Sequence, residues 1–169
     1  MDAIELLKTQ HREVESLFVQ IEHSEEADEK LELVQDLANS FAAHSTIEEQ
    51  VFYPAAYQNS TKEILDEAVE EHLSAKRLLK DILALDAGDE SLEPKLKVLK
   101  EQIEHHVQEE ENELFPKVRS SFDSAYLEAM GERMEELYDA EMDEEPAEKA
   151  ALETKEAARI KPKRPRPSA

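Results

Sequence analysis

Apolar residues recur every three or four positions in four long stretches of the chain, the spacing that lines one face of an amphipathic helix. The four stretches cover about residues 2–24, 28–54, 60–88 and 91–118. Short connections between consecutive helices force neighbouring helices to lie antiparallel. We therefore predict an all-α protein in which residues 1–118 form an up-down-up-down antiparallel four-helix bundle.

Local signals indicate where some of these helices begin and end. Ser60 and Glu63 have the spacing of a capping box, which predicts that the third helix opens at Ser60. Pro54 and Pro116 stand near the ends of the second and fourth stretches, where a proline kinks or ends a helix. Gly88 is expected to stop the third helix.

The rest of the chain divides into two parts. Residues 119–140 contain a fifth amphipathic stretch, an additional C-terminal helix expected to pack across the bundle or against a second copy of the chain in a homodimer. Its apolar side contains Tyr126, Met130, Met134 and Leu137. Residues 141–169 begin acidic and end basic, and from Lys155 onward six basic residues and three prolines accompany one glutamate. This composition predicts a tail without stable structure.

The chain is strongly acidic, because 42 Asp and Glu residues against 20 Lys and Arg residues give a net charge of −22. Such a surface repels phosphate backbones and anionic lipids, so nucleic acid is expected only at the basic tail and a membrane not at all. Asp2 and Glu5 stand where a signal peptide would have basic residues, which predicts a cytoplasmic protein. The absence of cysteine excludes disulfides, thiolate metal sites and thiol catalysis.

An internal repeat is the most informative feature of the sequence. The segment 44–54 reads HSTIEEQVFYP, and the segment 106–116 reads HVQEEENELFP. His106 follows His44 by 62 residues, and His72 follows His11 by 61 residues. The chain is therefore two helical hairpins, each with one histidine in the apolar stripe of its first helix, His11 or His72, and an HxxxE motif on its second.

Polar residues interrupt the apolar stripes at corresponding places in both hairpins. Residues four apart project from one face of a helix, so each HxxxE motif directs an imidazole and a carboxylate towards the core. His11 with Glu15 and His105 with Glu109 have the same spacing, but Glu15 and His105 lie off the apolar stripes. The inward-facing set comprises His11, His44, Glu48, His72, His106 and Glu110.

Six inward polar side chains of this kind require a partner, since an ionised carboxylate buried alone costs several kcal/mol. A metal ion supplies the compensating charge, and imidazole with carboxylate but without thiolate suits iron, manganese or zinc. Two six-coordinate ions held by four histidines and two bridging carboxylates would retain open positions. The pattern therefore indicates a reactive metal centre, with a purely structural buried network as the alternative.

The order of these residues, closed by FYP and LFP on the second and fourth helices, resembles the hemerythrin-like HHE cation-binding family over residues 1–118. The resemblance implies a non-haem centre of two iron ions, with manganese or zinc less expected, held by the six residues above. Oxygen-carrying members have a second histidine on the third helix, where Lys76 stands here. That departure argues against stable oxygen carriage and favours nitric oxide, peroxide or oxidation chemistry.

The resemblance implies a protein that binds O2, NO or peroxide in sensing, storage or stress defence, and no catalytic residue is assigned. Two alternatives stay open: a di-iron peroxidase, catalase or oxidase, and a helical interaction module with a structural metal. Alanine at Glu48 or Glu110 is predicted to lose metal, whereas alanine at Glu49 or Glu111 is predicted to be nearly silent. Tyr53 is not assigned to the site.

Overall fold

A computed structural model describes residues 1–148 and 153–163. The described chain is helical, which confirms the predicted all-α class. Four long helices have bounds close to those predicted, and a fifth follows them. They are α1 (Ala3–His23), α2 (Ala27–Ile47), α3 (Lys62–Leu83), α4 (Leu92–Glu109) and α5 (Ser124–Met142).

Side-chain caps fix the start of α1 but not of α3. Asp2 accepts hydrogen bonds from the backbone amides of Ile4 and Glu5, and the Glu5 side chain accepts one from the Asp2 amide. This capping box stabilises a helix by satisfying amides that have no intrahelical partner. The capping box predicted at Ser60 is wrong, because α3 begins after Thr61, whose hydroxyl instead accepts from the Gln58 amide and donates to the Ala56 carbonyl.

Neither Pro54 nor Pro116 ends its helix. α2 continues through a π-helical segment, Glu48–Phe52, into a short α-helix, Tyr53–Ala56. α4 continues in the same way through Glu110–Leu114 into Phe115–Ser121. A proline has no backbone N–H and cannot donate a hydrogen bond to the carbonyl four residues earlier. In each segment the wider π turn before the proline accommodates it within a continuous helix. Each π turn begins at the glutamate of an HxxxE motif.

The apolar core lies in two layers, one on either side of a polar centre. Along α1, Leu7 belongs to one layer and Val14 to the other, with His11 between them. Along α3, Leu65 and Leu79 bracket His72 in the same manner. Packed layers above and below the centre exclude water from it and hold the helices that carry its side chains.

The fifth helix packs against its own chain, on α1 and α2. Leu127, Met130 and Met134 are buried in this contact. Gly131 lies so close to the start of the chain that a Cβ atom there would stand 2.4 Å from the Met1 carbonyl oxygen. Only glycine permits this close approach, so the backbone of residues 1–3 packs directly against α5.

In the part of residues 141–169 that the structure describes, several residues contact the helical body, while the absence of stable structure in this tail stays a prediction. The Arg77 guanidinium donates to the carbonyls of Thr154 and Lys155 at 2.9 and 3.0 Å. The Lys163 amide donates to the Pro54 carbonyl at 2.9 Å, and Ile160 packs against the core. The high content of charged residues and proline predicts a solvated tail, and composition alone does not reveal these backbone contacts. The tail segments 149–152 and 164–169 lie outside the described residues.

No helix within the described ranges is long and apolar enough to cross a membrane. The cytoplasmic location stays a prediction.

Candidate metal centre

The six inward residues of the repeat converge at mid-length between the core layers. One group of ligand atoms comes from His11, His44, Glu48 and Glu110, and a second comes from Glu48, His72 and His106. In each group all ligand atoms lie within 4.8 Å of one another. Glu48 belongs to both groups, so the geometry offers two adjacent cation positions that share a carboxylate.

Short distances connect the imidazoles to the two carboxylates. Glu48 lies between His44 and His72, with Nε2 to carboxylate oxygen distances of 3.2 and 3.1 Å. Glu110 lies between His11 and His106, with corresponding distances of 3.3 and 3.5 Å. Each carboxylate therefore reaches one imidazole from each hairpin, which is the placement that a bridging ligand requires.

The centre is fully buried, and three of its polar atoms have no hydrogen-bond partner. They are His11 Nε2, Glu48 Oε1 and Glu110 Oε2. A buried polar atom left unsatisfied costs about 1–3 kcal/mol, and such atoms are rare in folded proteins. His11 Nε2 lies 3.3 Å from Glu110 Oε2, and Glu48 Oε1 lies 3.2 Å from His44 Nε2, so all three belong to the cluster of ligand atoms and the donor set fits a cation bound among them.

Each histidine is oriented by a second residue on its outer nitrogen. The Nδ1 atoms of His11 and His72 donate to Glu111 and Glu49 at 2.9 and 2.8 Å. The Nδ1 atoms of His44 and His106 donate to Gln10 and Glu71, each at 2.7 Å. This arrangement turns every Nε2 atom inward, and metal-binding histidines are typically fixed by such outer acceptors.

The outer acceptors follow the internal repeat. Glu49 and Glu111 directly follow the glutamates of the two HxxxE motifs, and each orients the single histidine of the other hairpin. Gln10 and Glu71 directly precede the single histidines, and each orients the HxxxE histidine of its own hairpin. The prediction that alanine at Glu49 or Glu111 is nearly silent is therefore at odds with the structure, because both carboxylates hold candidate ligands in place.

Tyr53 is the residue of the centre that sequence reasoning missed. Its hydroxyl has one proton to donate and lies 2.9 Å from Glu110 Oε1, 3.2 Å from Glu48 Oε2 and 3.3 Å from His72 Nε2, so it can donate to either carboxylate. An α-helix would turn a residue five positions after Glu48 away from it, but the π turn adds a residue and brings Tyr53 back to the same side. The aligned FYP and LFP endings were the available signal, since they place Tyr53 opposite Phe115.

Burial and charge act together on the protonation of the centre. Burial alone would lower the pKa of His106, but the negative charges of Glu110, Glu48 and Glu71 outweigh it and raise the pKa to about 9. The neighbouring carboxylates raise the pKa of His11 and His72 in the same way. Burial opposes ionisation of Glu48, yet the adjacent imidazoles hold its pKa well below the usual value. Without metal, the raised pKa values of His11, His72 and His106 favour protonated imidazoles beside the buried carboxylates.

Lys76, which departs from the pattern of oxygen carriers, is buried beside the centre. Its ammonium lies 3.2 and 3.3 Å from the two oxygens of Glu49 and 3.6 Å from Glu153 of the C-terminal segment. Its charge, together with the His72 hydrogen bond, lowers the pKa of Glu49 despite burial. The lysine therefore supports an outer acceptor and faces away from the shared carboxylates.

The other HxxxE spacing in α4 lies at the surface. His105 is 61% exposed, and Glu71, His105 and Glu109 form a loose group around it. The exclusion of His105 from the inward set is thus confirmed by its position. Exposed acidic groups of this kind are common without any bound ion.

The helical body and its centre define a class: an all-α protein with a buried cluster of four imidazoles and two carboxylates. The sequence model of the hemerythrin HHE cation binding domain matches residues 2–118. The chain belongs to this family.

Two individual proteins are similar to this chain. It superposes with a TM-score of 0.75 on a crystal structure of a hemerythrin HHE cation binding domain-containing protein from Mycobacterium kansasii, covering 85% of this chain and 89% of that one at 24% identity. It is also 26% identical over 132 residues to a protein of Nostoc sp. named DNA nickase, covering 76% of this chain. The matched part is only 36% of that protein.

Proposed function

We propose that this protein holds a non-haem di-iron centre and binds a small molecule such as O2, NO or peroxide there. The observation that supports it best is the convergence of four imidazole Nε2 atoms on two buried carboxylates, at distances of 3.1–3.5 Å. Within this cluster His11 Nε2, Glu48 Oε1 and Glu110 Oε2 make no hydrogen bond, and a bound cation would satisfy them.

Two ions fit the donor set better than one. His11 and His44 would hold the first ion, His72 and His106 the second, and Glu48 and Glu110 would bridge them. The sharing of Glu48 between two groups of ligand atoms supports this assignment. Imidazole with carboxylate suits iron, and manganese or zinc are the less expected occupants. Iron bound here would supply open coordination positions and reversible electron transfer.

We also propose that the four long helices form the up-down-up-down bundle predicted from the sequence. The packing of α1 on α2 and of α3 on α4 supports two helical hairpins. The convergence of four histidines from four helices on one centre supports their closure around it. A role in sensing, storage or stress defence is part of the same proposal.

A peroxidase-type enzyme is the second candidate, and Tyr53 favours it. The hydroxyl lies within hydrogen-bond distance of both carboxylates, so it can hold or move a proton where a peroxide would be bound. DNA nicking is not carried over from the Nostoc protein, because this chain spans 36% of it and has a net charge of −22, which disfavours contact with phosphate backbones.

The test is elemental analysis of protein purified from iron-supplemented cells, followed by spectra before and after addition of NO, O2 or hydrogen peroxide. We expect two irons per chain and a spectral change at one equivalent of small ligand. Catalytic consumption of many equivalents of peroxide would establish the enzyme alternative. Zinc or no metal after anaerobic reconstitution with iron would refute the proposal.

A further inference from the structure

A groove between α1 and α4 reaches the outer edge of His11. Its volume is about 550 Å³, within the range of small-molecule sites in proteins. Its apolar lining comes from Val14, Phe18, Ile103 and Val107. His11 itself forms part of the lining, while its Nε2 atom faces Glu110 at 3.3 Å on the inner side. The wall between groove and centre is therefore one imidazole ring thick.

Other parts of the chain cover much of the remaining surface of the four long helices. α5 packs across α1 and α2. The described C-terminal residues 153–163 contact α3 through Arg77 and the end of the α2 segment through Pro54. A second cavity of about 730 Å³ lies there, but its lining is mostly charged and contains none of the six inward residues. The groove between α1 and α4 has a partly apolar lining and includes one of the six, His11.

The charges at the rim of the groove are paired with each other. Arg12 forms ion pairs with Glu15 and Glu111, and Lys100 pairs with Glu22 at 2.6 Å. No excess of positive charge is left at the rim to attract an anion, and the net charge of −22 repels one. An uncharged molecule is not repelled by the negative charge and can enter a groove lined by valine, phenylalanine and isoleucine.

We infer that the groove between α1 and α4 is the route by which a small uncharged molecule reaches the His11 side of the metal centre. The inference rests on the proposed function and adds to it a place of entry and a preference for uncharged ligands over anions. Val14, three residues after His11, and Val107, directly after His106, both line the groove, so a change in the size of either side chain changes its width.

The first test measures the association rate of NO with the reduced, iron-loaded protein by stopped-flow absorption. Val107→Trp should slow association about tenfold or more, equivalent to a barrier increase of about 1.4 kcal/mol, and Val107→Ala should speed it. Val98→Trp is the matched control, because Val98 is an exposed residue of the same helix outside the groove. Equal rates in all four proteins would overturn the inference, and the alanine variant keeps the test valid if the tryptophan variant does not fold.

A second test needs neither iron nor NO. Xenon, an uncharged probe of apolar cavities, is added to the zinc-loaded protein, and valine methyl resonances are followed by NMR. Val14 and Val107 should shift with xenon pressure while Val98 stays fixed. Failure of the iron-loaded wild-type protein to react with NO, O2 and hydrogen peroxide would refute the proposed function. An absence of xenon shifts at Val14 and Val107 would refute the groove alone.

Ionic strength tests the preference for uncharged ligands. Salt screens the negative field of the protein, so the association rate of azide should rise with ionic strength while the rate of NO stays constant. An azide rate that falls as salt is added would show an attractive field in the groove and would contradict the stated preference.

Discussion

Tyr53 and Phe115 occupy equivalent positions in the two repeats, and each ring stacks on a single histidine of the centre. Tyr53 stacks on His72 with ring centroids 5.6 Å apart, and Phe115 stacks on His11 at 5.9 Å. The two halves of the centre therefore share a scaffold, but only one half has a hydroxyl group. That hydroxyl lies within hydrogen-bond distance of both shared carboxylates and breaks the symmetry of the site.

Replacing Tyr53 with phenylalanine should destabilise the metal-free protein. The variant keeps the ring stacked on His72 but removes the donor to Glu48 and Glu110, and hydrogen bonds to charged groups contribute about 1.5–3 kcal/mol. Denaturant unfolding in the presence of a chelator measures the loss. Tyr57→Phe is the control: its hydroxyl binds the exposed Asp66, so we expect a change within about 0.5 kcal/mol. Equal losses in both variants would contradict the assigned role of Tyr53.

Replacing Glu48 or Glu110 with glutamine should abolish binding of the metal pair. The amide has nearly the same volume but no charge, and it cannot bridge two cations through two anionic oxygens. Metal content after gel filtration measures the effect. The metal-loaded wild type should also unfold at a higher temperature than the chelated protein, because a ligand that binds only the folded state stabilises it. Full metal content in both variants would remove Glu48 and Glu110 from the ligand set.

Alanine at Glu49 or Glu111 should weaken metal binding without abolishing it. These carboxylates orient His72 and His11 from outside, and loss of such an acceptor typically costs 10–100-fold in metal affinity, about 1.4–3 kcal/mol. Competition with a chromophoric chelator gives the affinities. Glu113→Ala, an exposed glutamate in the same π turn as Glu111, should bind metal as the wild type does. Wild-type metal affinity in the Glu49→Ala and Glu111→Ala variants would show that these two carboxylates do not contribute to metal binding.

The metal-free protein should lose stability as the pH rises from about 6.5 to about 9. The nearby carboxylates of the folded state raise the pKa of His106 to about 9 from the ordinary value of 6.5, so its stabilising contribution is complete below pH 6.5 and is lost as the pH rises through 9. The lowered pKa of Glu48 has the opposite effect in acid, where stability is lost as the carboxylate is protonated. Maximal stability of the metal-free protein is therefore expected between the ordinary Glu pKa of 4.5 and the ordinary His pKa of 6.5.

Urea unfolding in a chelating buffer from pH 5 to pH 9.5 measures this profile. His106→Gln should flatten the alkaline decline, whereas His105→Gln, at the adjacent exposed position, should leave it unchanged. Bound metal replaces the protons on the histidines, so the stabilisation by metal should increase over the same interval. A metal-free protein whose stability rises between pH 6.5 and pH 9 would contradict the assigned charges.

Periodicity located the helices and the six inward residues because both depend on which face of a helix is buried. His105 and His106 are neighbours, and both have a glutamate four residues later. Only His106 lies in the apolar stripe of its helix, and this difference distinguished the buried residue from the surface residue. The repeat then related the two hairpins. These features are local in sequence or repeated in it, so they could be recognised without coordinates.

The residues that sequence reasoning missed depend on relationships between distant segments. Glu49 appeared to lie beside the inward stripe of its own helix, and only the packing of α2 against α3 brings it to His72. Tyr53 does not lie on the inward face that α-helical periodicity predicts, because a π turn inserts one residue before it, and a regular periodicity does not predict such an insertion. The contact of residues 153–163 rests on backbone hydrogen bonds, which composition does not encode.

The two metal positions should differ in affinity, because their outer acceptors differ in charge. His106 donates to the carboxylate of Glu71, whereas its counterpart His44 donates to the neutral amide of Gln10, each at 2.7 Å. A carboxylate acceptor makes the imidazole a stronger ligand. The first ion should therefore bind on the side of His72 and His106, and the second should bind more weakly on the other side.

Gln10→Glu should narrow the gap between the two binding steps. The new carboxylate would accept from His44 as Glu71 does from His106, and we expect the weaker step to tighten about tenfold, at the lower end of the range for outer acceptors. Glu71→Gln should weaken the tighter step by a similar factor, whereas Glu70→Gln, at an exposed neighbouring position, should change neither. Isothermal titration of the metal-free protein with zinc resolves the two steps. Identical stepwise constants in the wild type, Gln10→Glu and Glu71→Gln proteins would show that outer charge does not distinguish the two positions.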